Sequence, residues 1–106
     1  MKALEPYRLL FLEEPTQPDD VEGLARLRAA DPAMDLATGE RLYTKWDYRS
    51  LLEQRLVDVI QPDICHAGGI TECKKIAAMA EAYQLPFAPH NPSGPIAHAA
   101  TMQLAA

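Results

Sequence analysis

The sequence predicts an α/β fold built from parallel strand-then-helix units. Four short apolar segments alternate with four helical stretches along the 106 residues, the signature of a parallel sheet or barrel. A second observation is positional. The polar residues at the ends of the four strand-like segments are Glu13 (with Glu14), Glu40, Asp63 and His90, spaced by 27, 23 and 27 residues. A (β/α)₈ barrel allots roughly 31 residues to each unit, so these gaps suit adjacent units without large insertions. In such folds chemistry sits at the carboxyl ends of the strands, and all four groups fall on that one rim.

The elements follow in order. Arg8 to Glu14 reads as a strand stopped by Pro15. Turn residues come next, and Asp19 or Asp20 caps a helix whose apolar stripe is Val21, Leu24 and Ala25, with Leu27 at its edge, ending near Asp31-Pro32. Met34 to Thr38 is the second strand, closing on Gly39-Glu40. The next helix runs from Lys45 to Leu56, with Trp46, Leu51, Leu52 and Leu56 apolar. Val57 to Pro62 is short, apolar and partly β-branched, a buried strand. Ile70, Cys73, Ile76, Ala77, Ala80 and Tyr83 recur at helical spacing and give the crossover helix one buried face. Leu85 to Pro89 is the fourth strand, although its prolines weaken the pattern. A last helix starts at Pro95, a favoured first-turn position, and carries Ile96, Ala99, Ala100 and Leu104.

Composition narrows the function classes. With 48% hydrophobic and 24% charged residues the chain is one globular domain, and a net charge of -5 with scattered lysines and arginines argues against nucleic acid as a partner. The opening MKALEPYRLL lacks the apolar core of a signal peptide, and no apolar run approaches a membrane span, so a cytoplasmic protein without membrane contact is expected. Cys65 and Cys73 lack zinc-site spacing and read as plain thiols.

Two carboxylates on neighbouring strand ends, Glu13 and Glu40, can share a divalent cation, and oxygen-only donors suit Mg²⁺ better than zinc. As isolated residues they would be ordinary polar loop positions. His90 can take a proton near neutral pH if a carboxylate holds its other ring nitrogen, and Asp63, one strand away, is the candidate holder. His66 is expected to line the pocket, and Asn91 and Ser93 to contact substrate hydroxyls. His98, on the last helix, reads as structural. Gly68-Gly69 precedes a helix and either forms a tight turn or holds an anion on its N–H groups.

The motifs FLEEP, ATGER, IQPD, HAGGITE and APHNPSGPIA, in this order, resemble the barrel of the mandelate racemase branch of the enolase superfamily, most closely its acid-sugar dehydratases, the galactonate dehydratases in particular. The resemblance implies that residues 1–106 form one partial domain of a TIM-like (β/α)₇β barrel, about four βα units holding its fourth to seventh strands, with no capping domain. It further implies Glu13 and Glu40 as Mg²⁺ ligands, and His90 with Asp63 as the catalytic dyad. The family's third metal ligand and its remaining acid or base groups have no counterpart in these residues.

The activity so implied is that of a lyase: abstraction of the proton α to a carboxylate and loss of the β-hydroxyl, giving a 2-keto-3-deoxy sugar acid. Within the same superfamily the alternative is racemisation or epimerisation. A third reading is a non-catalytic half-barrel that pairs with another chain through its unpaired edges. The expected partners are a sugar-acid substrate and, at full length, further copies of the protein.

Overall fold

A computed structural model describes residues 2–30 and 33–106. The chain enters through a 3₁₀ turn, Lys2–Tyr7, and then alternates β1 (Phe11–Glu13), α1 (Val21–Ala29), β2 (Asp35–Thr38), α2 (Lys45–Glu53), β3 (Val59–Ile60), α3 (Ile70–Ala82) and α4 (Pro95–Ala105). The strands form a parallel sheet in the order β1-β2-β3, registered by Leu12 opposite Leu36 and Thr38 opposite Ile60. This is the expected α/β arrangement.

Every strand is shorter than its apolar segment, for local reasons. Arg8 takes a left-handed conformation with φ 48°, so the first strand starts only at Phe11. Just before β3, Asp58 replaces part of the ladder with its side chain. Its N–H donates to the Leu36 carbonyl at 2.8 Å, while its Oδ2 accepts from Leu36 N at 2.8 Å and from Arg28 at 2.5 Å. The fourth strand, expected over Leu85 to Pro89, is reduced to two isolated parallel bridges, Ile60 with Phe87 and Asp63 with His90. Pro86 and Pro89 lack N–H groups and cannot sustain a ladder. Three backbone hydrogen bonds still dock the segment beside β3: Ile60 N to Pro86 O, Ala88 N to Ile60 O and His90 N to Pro62 O.

The helices cover the sheet with a core of Leu36, Tyr48, Leu52, Ile60 and Ile76, all fully buried. On α1 the Asp20 carboxylate caps Gly23 N at 2.7 Å, as expected. The helix end expected at Asp31-Pro32 falls outside the described residues. On α2, Trp46 is not a core residue. It is exposed, with the Lys45 ammonium 5.0 Å from its ring centre, and Tyr48 takes the inward position beside Leu51 and Leu52. On α3 the expected stripe holds at Cys73, Ile76 and Ala80, though Ile70 is largely exposed. On α4 the stripe is rotated. Ala97 and Thr101 are buried, while Ile96 and Ala99 face outward.

Both α2 and α3 end the same way. Arg55 (φ 51°) and Gln84 (φ 59°) turn left-handed, and the next residue donates back to the helix, Leu56 N to Leu51 O and Leu85 N to Ala80 O, each at 3.0 Å. These exits launch the chain into β3 and into the 85–90 segment. Among the described residues, no helix is long and apolar enough to cross a membrane.

Candidate active site at the strand ends

The carboxyl ends of the strands collect the polar side chains. Glu13 closes β1, Glu40 lies two residues past β2, Asp63 three past β3, and His90 pairs with Asp63 across a backbone bridge. Three of them touch. His90 Nδ1 lies 2.9 Å from Asp63 Oδ2, and His90 Nε2 lies 3.1 Å from Glu40 Oε2. The Asp63 side chain is 1% exposed, whereas those of His90 and Glu40 are about one quarter open.

Asp63 can hold an imidazole because its own orientation is fixed. Its second oxygen accepts from Cys65 N at 2.7 Å and, more weakly, from His66 N at 3.4 Å, an Asx-type turn that follows from Asp after Pro62. The Nδ1 contact to a carboxylate makes Nδ1 the donor, which assigns the tautomer. The Nε2 contact to Glu40 is then a hydrogen bond only when Nε2 also carries a proton.

Glu40 is placed by a framework around the Gly39 turn. Gly39 has φ 136°, and a Cβ there would sit 3.0 Å from the Tyr48 ring and 3.1 Å from Gln61 N, so the turn accepts no side chain. The buried Tyr48 hydroxyl donates to Gly39 O at 2.6 Å. Glu14, left-handed itself at φ 45°, spans the other side. Its Oε1 accepts from Gly39 N at 3.0 Å and from the Thr38 hydroxyl, and its Oε2 from Arg41 at 2.9 Å. Burial pushes the Glu14 carboxyl up, but the Thr38, Gly39 and Arg41 donors outweigh it and leave the group below the usual range. Spacing alone did not reveal Glu14, Thr38 or Tyr48 as supports. The doubled carboxylate of Glu13-Glu14 was the one available signal.

The other expected residues are distributed differently. Glu13 stands apart from the triad and accepts from Gln61 Nε2 at 3.0 Å. His66, expected to line the pocket, is exposed and its Nδ1 lies 2.8 Å from Glu40 O, so it braces the backbone of Glu40. Asn91 Nδ2 meets His98 Nδ1 at 2.9 Å, which makes His98 a partner of the loop before α4. Gly69 N donates to Ile64 O at 2.9 Å, so that N–H is committed to the turn rather than to an anion.

The donor set fits a hard cation in part. Glu13 and Glu40 come from adjacent strand ends and offer only oxygen. Among the described residues, no group of three His, Cys, Asp or Glu side chains is placed to hold a metal; a cation held by these two would need further ligands from elsewhere.

The chain as a whole is similar to known proteins. A family model described as "Enolase C-terminal domain-like" matches residues 1–106. The chain is 52% identical over 104 residues to the D-galactonate dehydratase of Variovorax paradoxus and 53% identical to that of Ralstonia pickettii. In each case the match covers 98% of this chain and 27% of the relative, so the chain spans about a quarter of the length of these curated relatives. The crystal structure of an enolase from Agrobacterium radiobacter, bound to Na and L-malate, superposes with a TM-score of 0.87 at 46% identity, covering 93% of this chain and 25% of that one.

Proposed function

Because the chain belongs to the Enolase C-terminal domain-like family, we propose that it supplies the base dyad and two metal ligands of an acid-sugar dehydratase. The reaction removes the proton α to a sugar-acid carboxylate and expels the β-hydroxyl, giving a 2-keto-3-deoxy acid. The observation that carries this reading is the 2.9 Å contact of His90 Nδ1 with a buried Asp63 carboxylate. The 52% identity to a D-galactonate dehydratase supports the same class and suggests D-galactonate as the substrate to try first.

His90 acts as the base through Nε2. Asp63 keeps Nδ1 protonated and stabilises the imidazolium that forms when Nε2 takes the α-proton; such help is worth roughly 10²–10⁴ in rate. In this structure Nε2 faces Glu40. Were Glu40 engaged as a metal ligand, Nε2 would be free to accept. Glu13 and Glu40 would hold Mg²⁺, which when bound would anchor the substrate carboxylate and lower the cost of the negative charge that builds beside it. The β-hydroxyl leaves with a proton from an acid supplied by the rest of the protein.

The test uses the full-length protein with D-galactonate in D₂O. His90→Ala should abolish both 2-keto acid formation and exchange of the α-proton, while Mg²⁺ affinity changes little. Exchange at the wild-type rate would remove His90 from the reaction.

A further inference from the structure

Gln61 is a long polar side chain at the strand ends that the proposed reaction leaves unused. It directly follows the last residue of β3, its backbone N donates to Thr38 O at 2.9 Å, and its side chain crosses β2 to reach Glu13 on β1. The residue is only 6% exposed. Its Nε2 is satisfied by Glu13 Oε1, yet its Oε1 is buried with no hydrogen-bond partner among the described residues. An unpaired amide oxygen at such depth is costly to leave unsatisfied. Leucine or methionine would fill the same space without that cost.

We propose that Gln61 is a positioning residue for Glu13 and presents its free Oε1 to an O–H donor at the site, either a cation-bound water or a hydroxyl of the sugar acid. Both ends of the amide then have a function. The Nε2–H donor fixes one oxygen of Glu13 and leaves Oε2 as the oxygen available to a cation. Because the donor comes from a buried strand end rather than a loop, the carboxylate of an otherwise exposed residue is held before any ligand arrives. The oxygen that is an orphan here becomes satisfied on loading. This inference rests on Glu13 being a metal ligand, and the experiment separates the two.

Mg²⁺ affinity of the full-length protein is measured by calorimetry without substrate for wild type, Glu13→Gln and Gln61→Met, beside the melting temperature of each metal-free protein. Outer-shell partners of this kind typically change affinity by about 10- to 100-fold. Gln61→Met should weaken Mg²⁺ binding by that factor with little loss of metal-free stability, because an apolar side chain of similar shape replaces an amide with an unpaired oxygen. A purely structural amide would show the opposite, a lower melting temperature with unchanged affinity, and that result overturns the proposal. Should Gln61→Met fail to fold, Gln61→Asn keeps the amide but is one methylene too short to reach Glu13, and the same weakening is expected.

If Glu13→Gln weakens binding while the Gln61 variants do not, Gln61 is excluded and the Glu13 assignment stands. If Glu13→Gln has no effect, both fall. The O–H donor is then identified with D-galactonate at saturating Mg²⁺. A KM for Gln61→Met that returns to wild type points to a cation-bound water, and one that stays raised by about tenfold points to a substrate hydroxyl.

Discussion

Asp63 and His90 are joined twice: their backbones pair in a parallel bridge, and their side chains meet at 2.9 Å. The bridge fixes the separation of the two Cα atoms, so the imidazole has little freedom left once Asp63 Oδ1 is tied to Cys65 N. In the proposed role as base, an imidazole held this way loses less of its rate to misplacement.

Asp63→Asn keeps the shape of this pair and removes the charge. In the full-length protein it should lower kcat by about 10² or more, because the imidazolium loses its counter-charge and the tautomer is no longer enforced. Steady-state assay of 2-keto acid formation checks this. A kcat within twofold of wild type would show that Asp63 does not act through His90.

Glu14→Ala removes the clamp on the Gly39 turn without touching Glu13 or Glu40. Mg²⁺ binding by the full-length protein should weaken by about 10- to 100-fold, since the turn that carries Glu40 then loses its Glu14 clamp and keeps only weaker ties such as the Tyr48 and His66 contacts. The variant also changes acid stability. The folded Glu14 titrates below its ordinary value of 4.5, so it contributes fully above that pH and its contribution is lost as pH falls through the folded value. Unfolding followed from pH 7 downwards should therefore show a shallower acid decline for Glu14→Ala than for wild type.

Tyr48→Phe removes the 2.6 Å donor to the Gly39 carbonyl and leaves it only the Leu42 N–H at 3.1 Å. The expected loss is about 0.5–1.5 kcal/mol in denaturant unfolding. Mg²⁺ affinity should fall with it, because the same turn carries Glu40.

Much of this was legible in the sequence, and the failures have physical causes. The order of the units, the parallel sheet, the cap at Asp20 and the buried stripe of α3 follow from apolar periodicity, which reports burial directly. Trp46 and Ile96 were misplaced for a related reason: hydrophobicity marks a residue as apolar but does not say which face of its helix it occupies. Leu85 to Pro89 failed as a strand because two prolines outweigh an apolar run. Spacing located Glu13, Glu40, Asp63 and His90 at the strand ends, where three of them touch. It did not locate their supports, since Glu14, Tyr48 and Gln61 act through contacts between residues 9 to 48 positions apart.

The two thiols should differ sharply in reactivity. Burial, with the charges of Asp63 and Glu72 behind it, pushes the Cys73 thiol from 9.0 up to about 11, whereas Cys65 is exposed. Iodoacetamide at pH 8 should label Cys65 in the native protein and Cys73 only after denaturation, as read by mass spectrometry. The raised value also means that Cys73 favours the fold below pH 9 and that this support erodes as pH climbs from 9 towards 11.

Arg55 and Gln84 close α2 and α3 in a conformation that costs side-chain-bearing residues about 1–2 kcal/mol. Both stand where the chain enters the sheet, at the end away from the carboxyl-terminal rim. Glycine at either position should relieve part of that cost, raising the melting temperature while Mg²⁺ affinity and turnover stay at wild-type values. Robustness and reactivity thus occupy opposite poles of the same short strands. Mutational drift at the floor can be absorbed there, and the rim is left free to change its chemistry.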